Sequence, residues 1–147
     1  MKSRELARND SDLERTFVLI LEEEDEAFET ITQFAEQNGL VGASLTAIGA
    51  FRRATLGFFE FGTKTYKEIP IDTQTEVLSA IGDIAIDDDG KASLHMHVVL
   101  GFSDASTKGG HFINGEVFPT LEVIVRETGQ GLRRKKRDDL GIALIDP

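Results

Sequence analysis

His95-Met96-His97 and Gly109-Gly110-His111 contain every histidine of the chain, and their types and spacing point to metal chemistry. In an extended strand successive side chains alternate faces. His95 and His97 therefore project together from one side, while Leu94, Met96, Val98 and Leu100 form an apolar face on the other. Two imidazoles at i and i+2 have Cα atoms about 6.5 Å apart. Rings that lean inward can bring their nitrogens to the roughly 3.3 Å separation of two ligands on one tetrahedral zinc. The stretch 101–110 reads as a loop long enough to return His111 to the side of the strand, and its paired glycines, read as a hinge, permit backbone angles or close approaches closed to other residues. Three neutral histidines with a fourth position open are the donor set of a catalytic rather than a closed structural zinc site. The chain has no cysteine, so a metal must rely on histidine or carboxylate, which suits zinc or another divalent transition metal. His-x-His alone also fits the polar face of a half-exposed strand. The added Gly-Gly-His element moves the reading to a metal site.

Two carboxylates could serve such a site. Glu122 is an acid in Leu121-Glu122-Val123-Ile124-Val125, a strand that otherwise reads as buried. A buried carboxylate needs a partner such as a metal-bound water or an imidazole N–H. Glu122 and Glu116 are therefore the candidate general bases or orienting groups, with a solvent-facing edge position the alternative for Glu122. Arg52 and Arg53 could offer a guanidinium to an anionic ligand, or form a surface pair at a strand start. Arg133-Arg134-Lys135-Lys136-Arg137 is a basic run able to touch phosphate, or a solvated loop between two strands. Asp87-Asp88-Asp89-Gly90 lacks the alternating acids, closing glutamate and flanking helices of an EF-hand and reads as a turn.

The elements that must position these residues follow from the apolar pattern. A chain of 147 residues buries one core more readily than two, so residues 1–15 read as a polar tail and 16–147 as a single domain. Thr16 to Leu21 is a strand. Ala27, Phe28, Ile31, Phe34 and Ala35 recur at helical spacing between Asp25 and Gln37, with Asn38-Gly39 as the stop signal. Beyond them the pattern is β-rich. Strands are expected at Ala43–Ile48, Arg53–Phe61, Thr65–Ile69, Glu76–Ile86, Ala92–Phe102, Glu116–Glu127 and Leu140–Ile145. The class is α+β: a largely antiparallel sheet, a barrel-like sandwich, packed on one principal helix. No apolar run reaches membrane-spanning length, and the mixed charges of Met1–Asp12 are unlike a secretory signal, so the expected address is cytoplasmic. A net charge of −10 repels phosphate backbones at long range.

The residues also carry a family resemblance. Leu94-His95-Met96-His97-Val98 and Gly109-Gly110-His111-Phe112, with Thr46-Ala47-Ile48-Gly49-Ala50, Ala54-Thr55-Leu56-Gly57-Phe58-Phe59, Val77-Leu78-Ser79-Ala80-Ile81-Gly82-Asp83-Ile84 and the Leu140-Gly141-Ile142 segment, resemble the plant and prokaryote conserved (PPC) domain. The resemblance spans about Thr16 to Ile145. It implies an antiparallel sheet on one helix, assembly as a homotrimer, and a fold similar to acetolactate decarboxylase, whose zinc is held by three histidines. By that similarity His95, His97 and His111 are the ligands. In plants the domain follows AT-hook motifs that grip DNA, and this chain has no Arg-Gly-Arg-Pro hook. Two expectations result. One is a zinc protein that binds or processes a small oxygen-rich or anionic ligand; whether it is an enzyme is left open. The other is a non-enzymatic regulatory or interaction module, with DNA contact through residues 133–137.

Overall fold

The computed structural model describes residues 1–9 and 14–146. Strand β1 (Lys2–Asn9) pairs antiparallel with β2 (Glu14–Glu22), so the segment expected as a polar tail joins the sheet. In β2 the period-two pattern holds: Phe17, Leu19 and Leu21 are buried, and Thr16, Val18 and Ile20 between them are less so. Helix α1 (Ala27–Gln37) follows, as the spacing of its apolar residues predicts, and buries Ala27, Ile31, Phe34 and Ala35. Phe34 meets Phe17 edge-to-face with centroids 5.3 Å apart, which fixes the helix on the sheet. Glu26 caps the helix: its carboxylate accepts from the backbone N–H of Phe28 (3.1 Å) and Glu29 (2.7 Å). It also accepts from Gly115 N at 2.9 Å, tying the helix start to a distant strand.

The remaining strands are β3 (Ala43–Glu60), β4 (Thr65–Ile71), β5 (Thr75–Ile86), β6 (Ala92–Gly101), β7 (Thr107–Glu127), β8 (Arg134–Arg137) and β9 (Ile142–Ile145). Seven form an antiparallel sheet in the order β1-β2-β7-β6-β5-β3-β4, and β3 also pairs with β7. The ladders β3–β5, β5–β6, β6–β7 and β7–β3 therefore make a closed circuit around a core that includes Phe51, Leu56, Met96, Leu100, Phe112 and Leu121. Phe51 and Phe112 stack within it at 5.4 Å. No helix among the described residues is long and apolar enough to cross a membrane.

Three boundaries differ from the sequence reading. Ala43–Ile48 and Arg53–Phe61 are one strand, β3, which runs through Gly49 with a register shift instead of stopping there. The expected 101–110 loop is short, because β7 already begins at Thr107 and continues to Glu127. The basic run is not a loop: Arg134–Arg137 is β8, hydrogen-bonded to β9 as a separate two-stranded sheet. β3 and β7 are each shared between several partners, and a pattern read along the sequence cannot see a partner change.

Candidate metal centre

Leu94, Met96, Val98 and Leu100 of β6 are all buried, which turns His95 and His97 outward together, as alternation requires. β7 then runs antiparallel beside β6 with His97 directly opposite His111. The three rings surround one point. Centroids lie 5.1 Å (His95–His97), 5.2 Å (His95–His111) and 5.4 Å (His97–His111) apart, and one nitrogen from each falls within 4.8 Å of the others. Nε2 of His95 and Nε2 of His97 are 3.2 Å apart, close to the roughly 3.3 Å edge of a tetrahedral zinc site.

Gly109 and Gly110 do not act as a hinge. Both belong to β7, and neither has a positive φ. A Cβ on Gly110 would lie 2.8 Å from the Gly57 carbonyl oxygen, and one on Gly109 would lie 2.9 Å from that of Val98. The glycines let β3 and β6 approach β7 closely, and that approach sets His111 beside His95 and His97.

The electrostatics favour uncharged rings. Burial, then the other two histidines, lowers the His111 pKa to about 4. Burial also lowers His95, with the Arg134 charge adding to it. Rings that resist protonation keep lone pairs available to a cation. The His111 ring stacks on Tyr66 at 4.5 Å, and its Nδ1 is buried with no hydrogen-bond partner among the described residues. An orphaned buried nitrogen in a convergent three-histidine cluster fits a metal ion well.

The cluster opens into a cavity of about 430 Å³, whose walls include Tyr66, Leu94, Arg134, Ile142 and Leu144. Arg134 is buried at 6% exposure. It donates to Ser93 O (2.8 Å), to Ser93 Oγ (2.9 Å) and to Asp83. Among Tyr66, Asp83, Ser93 and Arg134, the sequence reading gives a role only to Arg134, as part of the basic run. Asp83 carried a signal, an acid in the otherwise apolar stretch Ala80–Ile86. Tyr66 carried none.

The other expected residues lie elsewhere. Glu116 is bound by Arg52 (3.1 Å) and Arg53 (2.7 Å), and Arg52 also meets Glu23 at 2.6 Å. The Arg53–Glu116 rung lies four β3 residues from the Gly57–His111 rung, about 13 Å along the strand. The arginine pair is thus engaged with carboxylates, away from the histidines. Glu122 is exposed, in a groove with Ile48, Leu78, Ile81 and Ile124. Within one chain neither acid lines the histidine cavity. In the basic run, Arg134 pairs with Asp83, Lys135 with Asp146, Lys136 with Asp138 and Arg137 with Asp139; Arg133 is exposed.

Comparison with known proteins agrees with this architecture. The model of the Plants and Prokaryotes Conserved (PCC) domain matches residues 8–129. No curated protein matches the chain. A plant- and prokaryote-conserved protein of Pyrococcus horikoshii superimposes with a TM-score of 0.85 at 32% identity, covering 90% of this chain and 92% of its own. The metal-containing protein AF0104 of Archaeoglobus fulgidus gives 0.82 at 32% identity, covering 90% and 93%. A Bacteroides thetaiotaomicron protein described provisionally as DNA-binding gives 0.85 at 26%, covering 89% and 91%. The likeness to acetolactate decarboxylase also holds for the fold: a Staphylococcus aureus protein similar to that enzyme aligns over 76% of this chain and 51% of its own, with a TM-score of 0.51 at 12% identity. With a family model matching most of its length and the antiparallel sheet, single helix and histidine cluster in place, the chain belongs to the Plants and Prokaryotes Conserved domain family.

Proposed function

We propose that this chain is a homotrimeric metal-binding protein whose three histidines hold zinc, with one coordination position open to a small anionic or oxygen-rich ligand. The observation that carries this reading is the convergence of His95, His97 and His111 on the wall of a cavity that also holds Arg134. When bound there, zinc supplies Lewis acidity to a ligand oxygen or to a water. The chain's own residues do the rest. Neutral imidazoles donate lone pairs, and Leu94, Ile142 and Leu144 line the cavity beside them. The metal-containing description of AF0104 supports the reading.

Exposed apolar surface supports the assembly part of this reading. Ile48 (60% exposed), Leu78 (50%) and Ile81 (59%) line one groove, and Ile81 is the cross-strand partner of His97. A contiguous apolar patch of this kind marks an association surface. Glu122 lies in the same groove, so a general-base role for it requires that assembly carry it to a neighbour's histidines. Glu116 in its ion pairs serves the β3–β7 rung.

Elemental analysis of the purified protein tests the metal reading. One zinc per chain is expected. A protein that contains no transition metal and takes up none on zinc addition overturns it. A DNA-associated role, favoured by the description of the Bacteroides relative, predicts salt-sensitive duplex binding that weakens when residues 133–137 are neutralised. The geometry supports it less, because Arg134, Lys135, Lys136 and Arg137 are already engaged by acids of this chain.

A further inference from the structure

Residues beyond 129 lie outside the span matched by the family model, yet they close one side of the histidine cavity. Gly141, Ile142, Ala143 and Leu144, at the tip and in β9 of the C-terminal hairpin, are among its walls. The hairpin is attached to the main sheet at its base, where Leu132 accepts from Ile86 N (2.8 Å) and donates to Val41 O (2.9 Å). A second attachment is the buried Arg134 side chain. A guanidinium at 6% exposure needs a counter-charge and filled donors. It finds both on β5 and β6, in Asp83 and in the Ser93 carbonyl and hydroxyl.

Asp83 is the link to the metal ligands. It stands directly opposite His95 in the β5–β6 ladder, so the two side chains share one face. One Asp83 oxygen takes the Arg134 contact, and the other lies 4.0 Å from His95 Nδ1. His95 Nε2 points the other way, toward His97 Nε2 at 3.2 Å. At 4.0 Å the contact is electrostatic rather than a hydrogen bond. A carboxylate beside Nδ1 favours the tautomer with its proton there, which leaves the Nε2 lone pair for a cation.

We infer that Asp83, held in place by Arg134, is the positioning residue that orients His95 for the metal, so that the C-terminal hairpin is part of the metal centre. This rests on the metal reading above and adds to it a named orienting pair and a function for residues 130–146. The geometry also gives the basic run a local role, in which buried Arg134 locks the carboxylate that faces a ligand.

Cobalt(II) titration of the full-length, metal-stripped protein tests the inference, with affinity read by chelator competition and geometry read from the visible d–d bands. Wild type is expected to bind one cobalt with a tetrahedral-type spectrum. Asp83→Asn should bind about 10–100-fold more weakly, the usual effect of losing a group behind a metal-bound histidine, with altered bands. Arg134→Lys keeps the charge but loses the fork, and should weaken binding by a smaller factor. Ser93→Ala provides a third variant should Asp83→Asn fail to fold, and is expected to shift the bands in the same direction. Melting of the metal-free forms separates positioning from general instability, since a structural role alone would lower the melting temperature and leave the bands of the folded fraction unchanged. Wild-type binding with unchanged affinity and bands in the folded variants overturns the inference alone. No binding by wild type overturns the metal reading and this inference with it.

Discussion

His97 and His111 stand directly opposite one another across the β6–β7 ladder, with their rings 5.4 Å apart at 77°. Two of the three histidines are thus set by backbone hydrogen bonding between strands, and the third, His95, follows from strand alternation. A site built on paired strands is held more rigidly than one carried on a loop. The consequences can be measured.

Removing any one histidine should abolish stoichiometric metal. His97→Ala or His111→Ala is expected to lower zinc affinity by more than the roughly 10–100-fold seen for outer partners of metal sites. Elemental analysis after dialysis reads this directly. Retention of one zinc per chain in either variant would place the metal elsewhere.

The metal-free protein should lose stability in mild acid. The His111 pKa is about 4 in the folded chain, against an ordinary value of 6.5. The unfolded chain therefore binds the extra proton between those values. The stability contribution is fully present above about 6.5 and is lost as pH falls through about 4. Thermal melts of chelator-treated protein between pH 7 and pH 4 should show the decline, and His111→Gln should show less of it than wild type.

A charge in the exposed apolar groove should block assembly. Ile81 is 59% exposed beside Leu78 and Ile48. On the trimer reading proposed above, wild type scatters light as three chains and Ile81→Glu as one. A wild type that scatters as one chain overturns the trimer reading, and a three-chain mass kept by the variant places the contact on another face.

Glu26 should matter to stability out of proportion to its surface position. Its carboxylate caps α1 through Phe28 N and Glu29 N and also accepts from Gly115 N on β7. Glu26→Ala should cost about 0.5–2 kcal/mol, the range for a lost helix cap. A lowered melting temperature with unchanged metal content would confirm that the residue acts on the fold and not on the site.

Much of the site is legible along the chain because strand alternation is a local property. Leu94, Met96, Val98 and Leu100 had to face the core together, so His95 and His97 had to face away together. The helix is legible for the same reason, from Ala27, Ile31, Phe34 and Ala35 at its period. Chemistry that depends on which strands meet is not legible in this way. Gly109-Gly110 reads as serving either unusual backbone angles or a close approach, and only the strand partners decide for the close approach. Glu122 reads either as a buried acid, because its neighbours are apolar, or as a solvent-facing one, and the pleat turns it to the exposed face.

The sequence alone determined the donor types on offer, the shared face of His95 and His97, the helix α1 and the α+β class, since each depends on residue chemistry and a short-range period. Only the tertiary structure decided that His111 arrives on a strand opposite His97, that Asp83 and Arg134 stand behind His95, and that Glu116, Arg52 and Arg53 pair with one another away from the site. Those relations join residues far apart in the chain through ladder registers, and a register is set by how whole strands pack together, not by any one segment.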